Sequence, residues 1–168
     1  MLNHAFDDRG GNRQVNLYPT SLRGDIDALN VRIARSLAKG VYEVAGAKDQ
    51  GEYDAAVSEL FRFLDALEQQ LSDDRGFLLG DVFTLADVLA FAPLVRFDAV
   101  YNPLFRASRR RLVDYPQLTG FVRRVYDLPG VADTVRLDHI LMHYYDGDWA
   151  VATRRGIVPN PPAIDWRR

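Results

Sequence analysis

Apolar residues recur at three- and four-residue steps along almost the whole chain, and no stretch alternates with period two for long enough to make a strand. The pattern predicts an all-α helical bundle. After a polar, glycine-rich lead over residues 1–18, Pro19, Thr20 and Ser21 offer a helix start. Leu22, Ile26, Leu29, Ile33 and Leu37 then mark one face, up to a stop expected at Gly40. A second helix is predicted from about Glu52 to Leu71, with Ala56, Val57, Leu60, Phe61, Leu64, Leu67 and Leu71 on one face. Glu59, Arg62, Asp65, Glu68 and Gln69 fall largely on the other, so the apolar stripe needs a partner helix.

The stretch GDVFTLADVLAF, Gly80 to Phe91, predicts the firmest boundary in the chain. Thr84 can cap the first turn while Asp87, three residues on, reaches back to the cap's own N–H, a capping box that also suits the helix dipole. From Leu85 to Val95 only Asp87 is charged, so this third helix is expected inside the bundle, bent or widened at Pro93. Asp114, Tyr115 and Pro116 open a fourth helix through Leu118, Phe121, Val122 and Val125, which the LPG of residues 128–130 ends. A last helical region holds Val131, Val135, Ile140, Leu141 and Tyr144. Residues 148–168, with Pro159, Pro161 and Pro162, read as an extended tail. The 168 residues form a single domain in this reading.

Composition narrows the classes of function. A hydrophobic content of 48% with 26% charged residues is globular, and a domain of this length buries roughly 70% of its unfolded surface without a disulfide or metal. A formal net charge of −2 gives no bulk attraction to nucleic acid or to an anionic membrane. The zero cysteine count removes disulfides, thiolate metal sites and any cysteine nucleophile. No segment has the roughly 18 unbroken apolar residues of a membrane span, and the first residues have no signal-peptide pattern. A cytoplasmic protein is expected.

FLLGDVFTLADV is similar to the loop, capping box and buried helix of the C-terminal α-helical domain of glutathione transferases, and YPQLTGFVRRVYDLPGV to the helix that follows there. In order along the chain, LYPTSLRGDIDALN, KGVYEVAG, VRFDAVYNPLFR, DYPQL, LPGVADTV, DHILMHYY and RRGIVPNPP resemble the C-terminal domain of the Xi class, the glutathionyl-hydroquinone reductases. The opening MLNHAFDD resembles that family's interdomain linker. The resemblance implies a redox chemistry in which an N-terminal thioredoxin-like domain binds glutathione as co-substrate and supplies a cysteine. That thiolate attacks the sulfur of a glutathionylated hydroquinone, releasing the hydroquinone and leaving a mixed disulfide that a second glutathione resolves. No cofactor is therefore expected on this chain alone.

The resemblance also points to the pocket. Tyr42, Tyr101 and Tyr144 match tyrosines that the family places near its quinol. A phenol offers a flat apolar face and, with a reference pKa of about 10, a neutral hydroxyl that can donate to a quinol or phenolate oxygen. The same residues also suit a purely structural role, with each buried hydroxyl finding a backbone partner. Arg96 and Asp98 can orient a substrate oxygen or form an ion pair between helices. His139 and His143 share a helix face at the spacing of a two-histidine metal site, but Ile140, Leu141 and Met142 between them supply no third ligand. No metal is expected, and His143 remains a candidate hydrogen-bonding residue of the pocket. Arg106, Arg109, Arg110 and Arg111 read as a solvated loop rather than a phosphate site. No nucleophile elbow accompanies the serines, which argues against a hydrolase.

Departures from the family lie at Leu104, Arg106 and Ala107 in NPLFRAS, where it usually has His, Lys and Cys, at Pro93, and at Trp149 and Ala150. Two functions stay open. In one, the chain forms the hydroquinone pocket of a reductase whose thioredoxin-like domain comes from another chain. In the other, it is a stand-alone binding or assembly module of the same fold. A homo-oligomer is expected in either case, because removing the second domain would bare an apolar face on the first and third helices.

Overall fold

In the computed structural model, residues 15–146, 157, 158 and 166 are described. Among them the structure is helical, with one isolated bridge between Phe77 and Gly80 and no strand. A turn of 3-10 helix at Thr20–Leu22 leads into α1 (Arg23–Arg32), a π-helical run (Ile33–Lys39) and α2 (Gly40–Gly46). These join into one continuous rod. The apolar positions explain the π-helical run. Leu29, Ile33, Leu37 and Val41, all buried, follow one another at four-residue steps, which drift about 40° each around a helix of 3.6 residues per turn. Widening the turns keeps them on one face.

Gly40 does not end this rod. It sits at φ −53° and ψ −41°, a right-handed conformation, whereas a glycine stop works by turning left-handed. Val41 and Val44 carry the apolar stripe onward, and the chain leaves the helix at Ala47, with ψ 131°.

α3 (Gln50–Gln70) packs along the rod. Asp49 accepts the Glu52 N–H at 2.9 Å, while the Glu52 carboxylate accepts the Lys48 N–H at 2.9 Å, which starts the helix two residues before the sequence suggested. Its stripe of Val57, Leu60, Phe61, Phe63, Leu64 and Leu67 is buried. A loop then turns at Gly80, whose φ of 109° favours glycine, and enters α4 (Leu85–Leu94).

The start of α4 is fixed by Asp87. Its fully buried carboxylate accepts the Thr84 N–H at 2.7 Å, the Thr84 hydroxyl at 2.8 Å and the Leu78 N–H at 2.8 Å. The capping box forms and also ties down the preceding loop. Burial raises the Asp87 pKa, and these three bonds oppose the rise. α4 packs on the rod and on α5, yet it is not wholly enclosed as expected, for Val88 and Leu89 are exposed. Pro93, which has no N–H to donate, lies in its last turn, and a π-helical turn (Phe97–Tyr101) follows.

α5 (Pro116–Tyr126) begins with proline in its first turn and is capped from outside. The Glu68 carboxylate of α3 accepts the N–H groups of Gln117 and Leu118 at 2.9 and 2.8 Å. Gly130, at φ 81°, closes the turn before α6 (Val131–Thr134), and α7 (Leu137–Tyr145) follows after an extended Val135. Ile140, Tyr144 and Tyr145 are buried, and the Tyr145 hydroxyl donates to the Ala99 carbonyl at 3.2 Å. In the C-terminal region Ile157 and Val158 are exposed without regular structure and Trp166 is half-buried against the core, while the rest of the predicted tail lies outside the described residues. The lead of residues 1–14 and Trp149 and Ala150 lie outside the described residues.

Candidate functional site

Three elements remote in sequence bring their tyrosines together. Tyr42 comes from α2, Tyr101 from the last position of the π-helical turn after α4, and Tyr144 from α7. The Tyr144 hydroxyl lies 2.8 Å from that of Tyr42 and 3.1 Å from that of Tyr101. Continuity of the rod through Gly40 places Tyr42 on a helix rather than on the loop that the sequence suggested. Tyr101 and Tyr144 are buried, whereas Tyr42 is 39% exposed, so the network runs from the core to the surface.

Phe105 is packed among these rings, with centroids 5.2 Å from Tyr42, 5.3 Å from Tyr101 and 5.7 Å from Tyr144. Edge contacts of this kind hold aromatic rings in fixed orientations. Burial, together with the phenolic neighbours, pushes both Tyr42 and Tyr144 up to about 12, and burial raises Tyr101 as well. The Arg96 charge acts against the rise at all three. Near neutral pH the three groups are O–H donors.

The three tyrosines line a cavity of about 500 Å³. Arg96, His139 and His143 line it together with the three tyrosines, and Ala38, Ala92, Pro93 and Ile140 supply apolar surface. Arg96 donates to the Ala92 carbonyl. The His143 ring stands edge-on to Tyr144, with centroids 4.8 Å apart. No group of three metal-ligating side chains occurs among the described residues.

Asp98 takes no part in this cavity. It is buried, accepting the N–H groups of Leu112 at 2.6 Å and Val113 at 3.1 Å. Burial raises its pKa against those bonds. Arg96 and Asp98 therefore do different jobs, and neither the substrate pair nor the ion pair of the sequence reading forms.

The four arginines of the loop are exposed to solvent, and each is also fastened to a neighbour. Arg106, at φ 64°, sits over the Tyr53 ring, and its carbonyl accepts the Tyr53 hydroxyl at 2.8 Å. Arg109 lies over Phe61, Arg110 over Tyr115 and beside Asp65, and Arg111 pairs with Asp114 at 2.8 Å. This fastening fixes Phe105 beneath the tyrosines. Sequence reasoning missed Phe105, Ala38 and Ala92. Phe105 lay within the NPLFR stretch but had no chemistry of its own to signal it.

A family model for the glutathione S-transferase C-terminal domain matches residues 50–124. The glutathionyl-hydroquinone reductase PcpF of Sphingobium chlorophenolicum is 41% identical over 163 residues, covering 97% of this chain and 51% of that protein. The glutathionyl-hydroquinone reductase YqjG of Escherichia coli is 42% identical over 145 residues, covering 86% of this chain and 44% of that protein. A glutathione-bound structure of YqjG superposes with a TM-score of 0.92 at 38% identity, covering 99% of this chain and 53% of that one. An Xi-class glutathione transferase from Natrialba magadii gives 0.91 at 33% identity, covering 100% of this chain and 50% of that one. The chain thus spans about half the length of the curated relatives it matches. It carries the C-terminal helical domain of the glutathione transferases, in the form found in Xi-class glutathionyl-hydroquinone reductases.

Proposed function

We propose that this domain forms the hydroquinone pocket of a glutathionyl-hydroquinone reductase-like transferase and is inactive without a thioredoxin-like domain. One observation carries the reading: three tyrosine hydroxyls joined by hydrogen bonds at the wall of a cavity with apolar sides. A hydroquinone ring fits against Pro93 and Ile140, and its oxygens meet neutral O–H donors. As charge develops on a quinol oxygen, a fixed donor stabilises it more than it stabilises the ground state. Tyr42 and Tyr144 are the principal donors, Tyr101 orients Tyr144, and Arg96 and His143 border the ring. The thiol exchange needs a thiolate from elsewhere, since this sequence has no cysteine.

A partner would also cover Val31, Val88 and Leu89, which are exposed on the adjoining helices α1 and α4. Either a thioredoxin-like domain or a second copy fits this face. Sedimentation of the pure chain tests the second: a concentration-independent monomer removes the homo-oligomer.

Calorimetry with hydroquinone tests the pocket. Weak binding is expected, with Tyr42→Phe and Tyr144→Phe each losing about 1 kcal/mol of it, roughly fivefold. Unchanged binding in both variants overturns the reading. Thiol-dependent reduction of a glutathionylated hydroquinone by the pure chain overturns its inactivity.

A further inference from the structure

Of the described residues lining the tyrosine cavity, Arg96 alone bears a permanent charge, and none is an aspartate or glutamate. Arg96 is half-buried as a residue, and its guanidinium donates to the neutral Ala92 carbonyl. None of the ion pairs among the described residues includes it. The arginines of the nearby loop are held differently, for Arg106, Arg109 and Arg110 lie on rings and Arg111 on a carboxylate. A guanidinium has five N–H donors in a planar fork, and one bond to a carbonyl leaves most of them for a second acceptor. Arg96 shares the cavity with the tyrosine network, near enough for its charge to act on all three phenols, and Ala38, Ala92, Pro93 and Ile140 line the same space.

We propose that Arg96 is a carboxylate-binding, specificity-determining residue, so that the cavity prefers a hydroxylated aromatic ring bearing a carboxylate over the neutral quinol. The ring lies on Pro93 and Ile140, its hydroxyl meets the Tyr42 and Tyr144 end, and its carboxylate takes the fork of Arg96. A planar carboxylate matches that fork in shape as well as charge. His139 and His143 line the same cavity. A carboxylate of a glutathionyl group would offer Arg96 the same chemistry, so the source of the carboxylate is settled by a separate arm of the experiment. The inference rests on the pocket reading above and sharpens its substrate class.

The test measures affinities of the full chain for hydroquinone, for gentisate (hydroquinone with one ring carboxylate) and for glutathione, at low and high salt. Gentisate is expected to bind about tenfold more tightly than hydroquinone at low salt, with the ratio shrinking as salt screens the pair. In Arg96→Gln the ratio should fall to about one, and in Arg96→Lys, which keeps the charge without the fork, to an intermediate value. Circular dichroism confirms that each variant is folded. If glutathione displaces gentisate from the native chain but not from Arg96→Gln, the glutathionyl carboxylate shares the site. A gentisate to hydroquinone ratio near one in the native chain, or a ratio that survives Arg96→Gln, overturns the assignment while leaving the pocket. Failure of both aromatics to bind overturns the pocket and the assignment together.

Discussion

The Asp87 carboxylate and the Tyr144 hydroxyl are both polar groups carried into the bundle, and they are satisfied in opposite ways. Asp87 takes its hydrogen bonds from Leu78 and Thr84, at most nine residues away, and is fully buried. Tyr144 takes its partners from Tyr101 and Tyr42, 43 and 102 residues away, beside a cavity. The first group is an acceptor held by the loop and helix start it organises and shut off from solvent. The second belongs to hydroxyls that can donate or accept and can exchange partners when a ligand arrives. A buried polar group thus serves the fold when its partners are local, and is the better candidate for a site when its partners are distant and lie beside a space.

The largest expected effect breaks the first member of this comparison. Asp87→Ala leaves the Leu78 and Thr84 N–H groups without acceptors inside the core, and a loss of about 3–5 kcal/mol is expected. Asp87→Asn keeps one acceptor oxygen and should lose less. Urea unfolding of the two variants checks this, and a loss below about 1 kcal/mol for the alanine would mean that the loop finds other partners.

A smaller effect tests the second. Tyr144→Phe removes both hydroxyl bonds of the network, one of them to buried Tyr101, and should lower stability by about 1 kcal/mol at neutral pH. Titration gives a sharper signature. Tyr42 and Tyr144 are raised from 10.0 to about 12, so the unfolded chain gives up these protons first. Their contribution is fully present below pH 10 and is lost as the pH rises toward about 12. Phenolate absorbance of the folded chain should show these tyrosines titrating late, and Tyr144→Phe should flatten the alkaline fall in stability. Normal titration of all eight tyrosines in the folded protein would dissolve the contrast with Asp87.

The same contrast explains what could be read in advance. The Thr84 and Asp87 pair was legible because a capping box is a matter of spacing within one turn, and the α3 stripe because its period is local. The tyrosines could be named only through the family resemblance, since nothing in spacing joins position 42 to 144. Burial of Asp98 against Leu112 and Val113 was hidden for the same reason, as was the capping of α5 by Glu68 from another helix. Composition did not separate Arg96 from the four arginines of the loop. Only the rings and carboxylates that hold the others set it apart.

The smallest effect concerns Gly40, where the local signal misled. A glycine after an apolar run reads as a stop, yet the φ of −53° is open to any residue, and an added Cβ would meet Leu60 Cδ1 and the Arg35 carbonyl at an ordinary 3.7 Å. Gly40→Ala should therefore stabilise the chain by about 0.5 kcal/mol, because alanine loses less backbone freedom on entering a helix. Gly130→Ala should do the reverse, by about 1 kcal/mol, since φ there is 81°. The pair of melting curves compares a glycine that a helix merely tolerates with one that a turn needs. A lower melting temperature for Gly40→Ala would mean that the rod does break there. Tyr42 would then lose the helix that holds its hydroxyl at 2.8 Å from Tyr144.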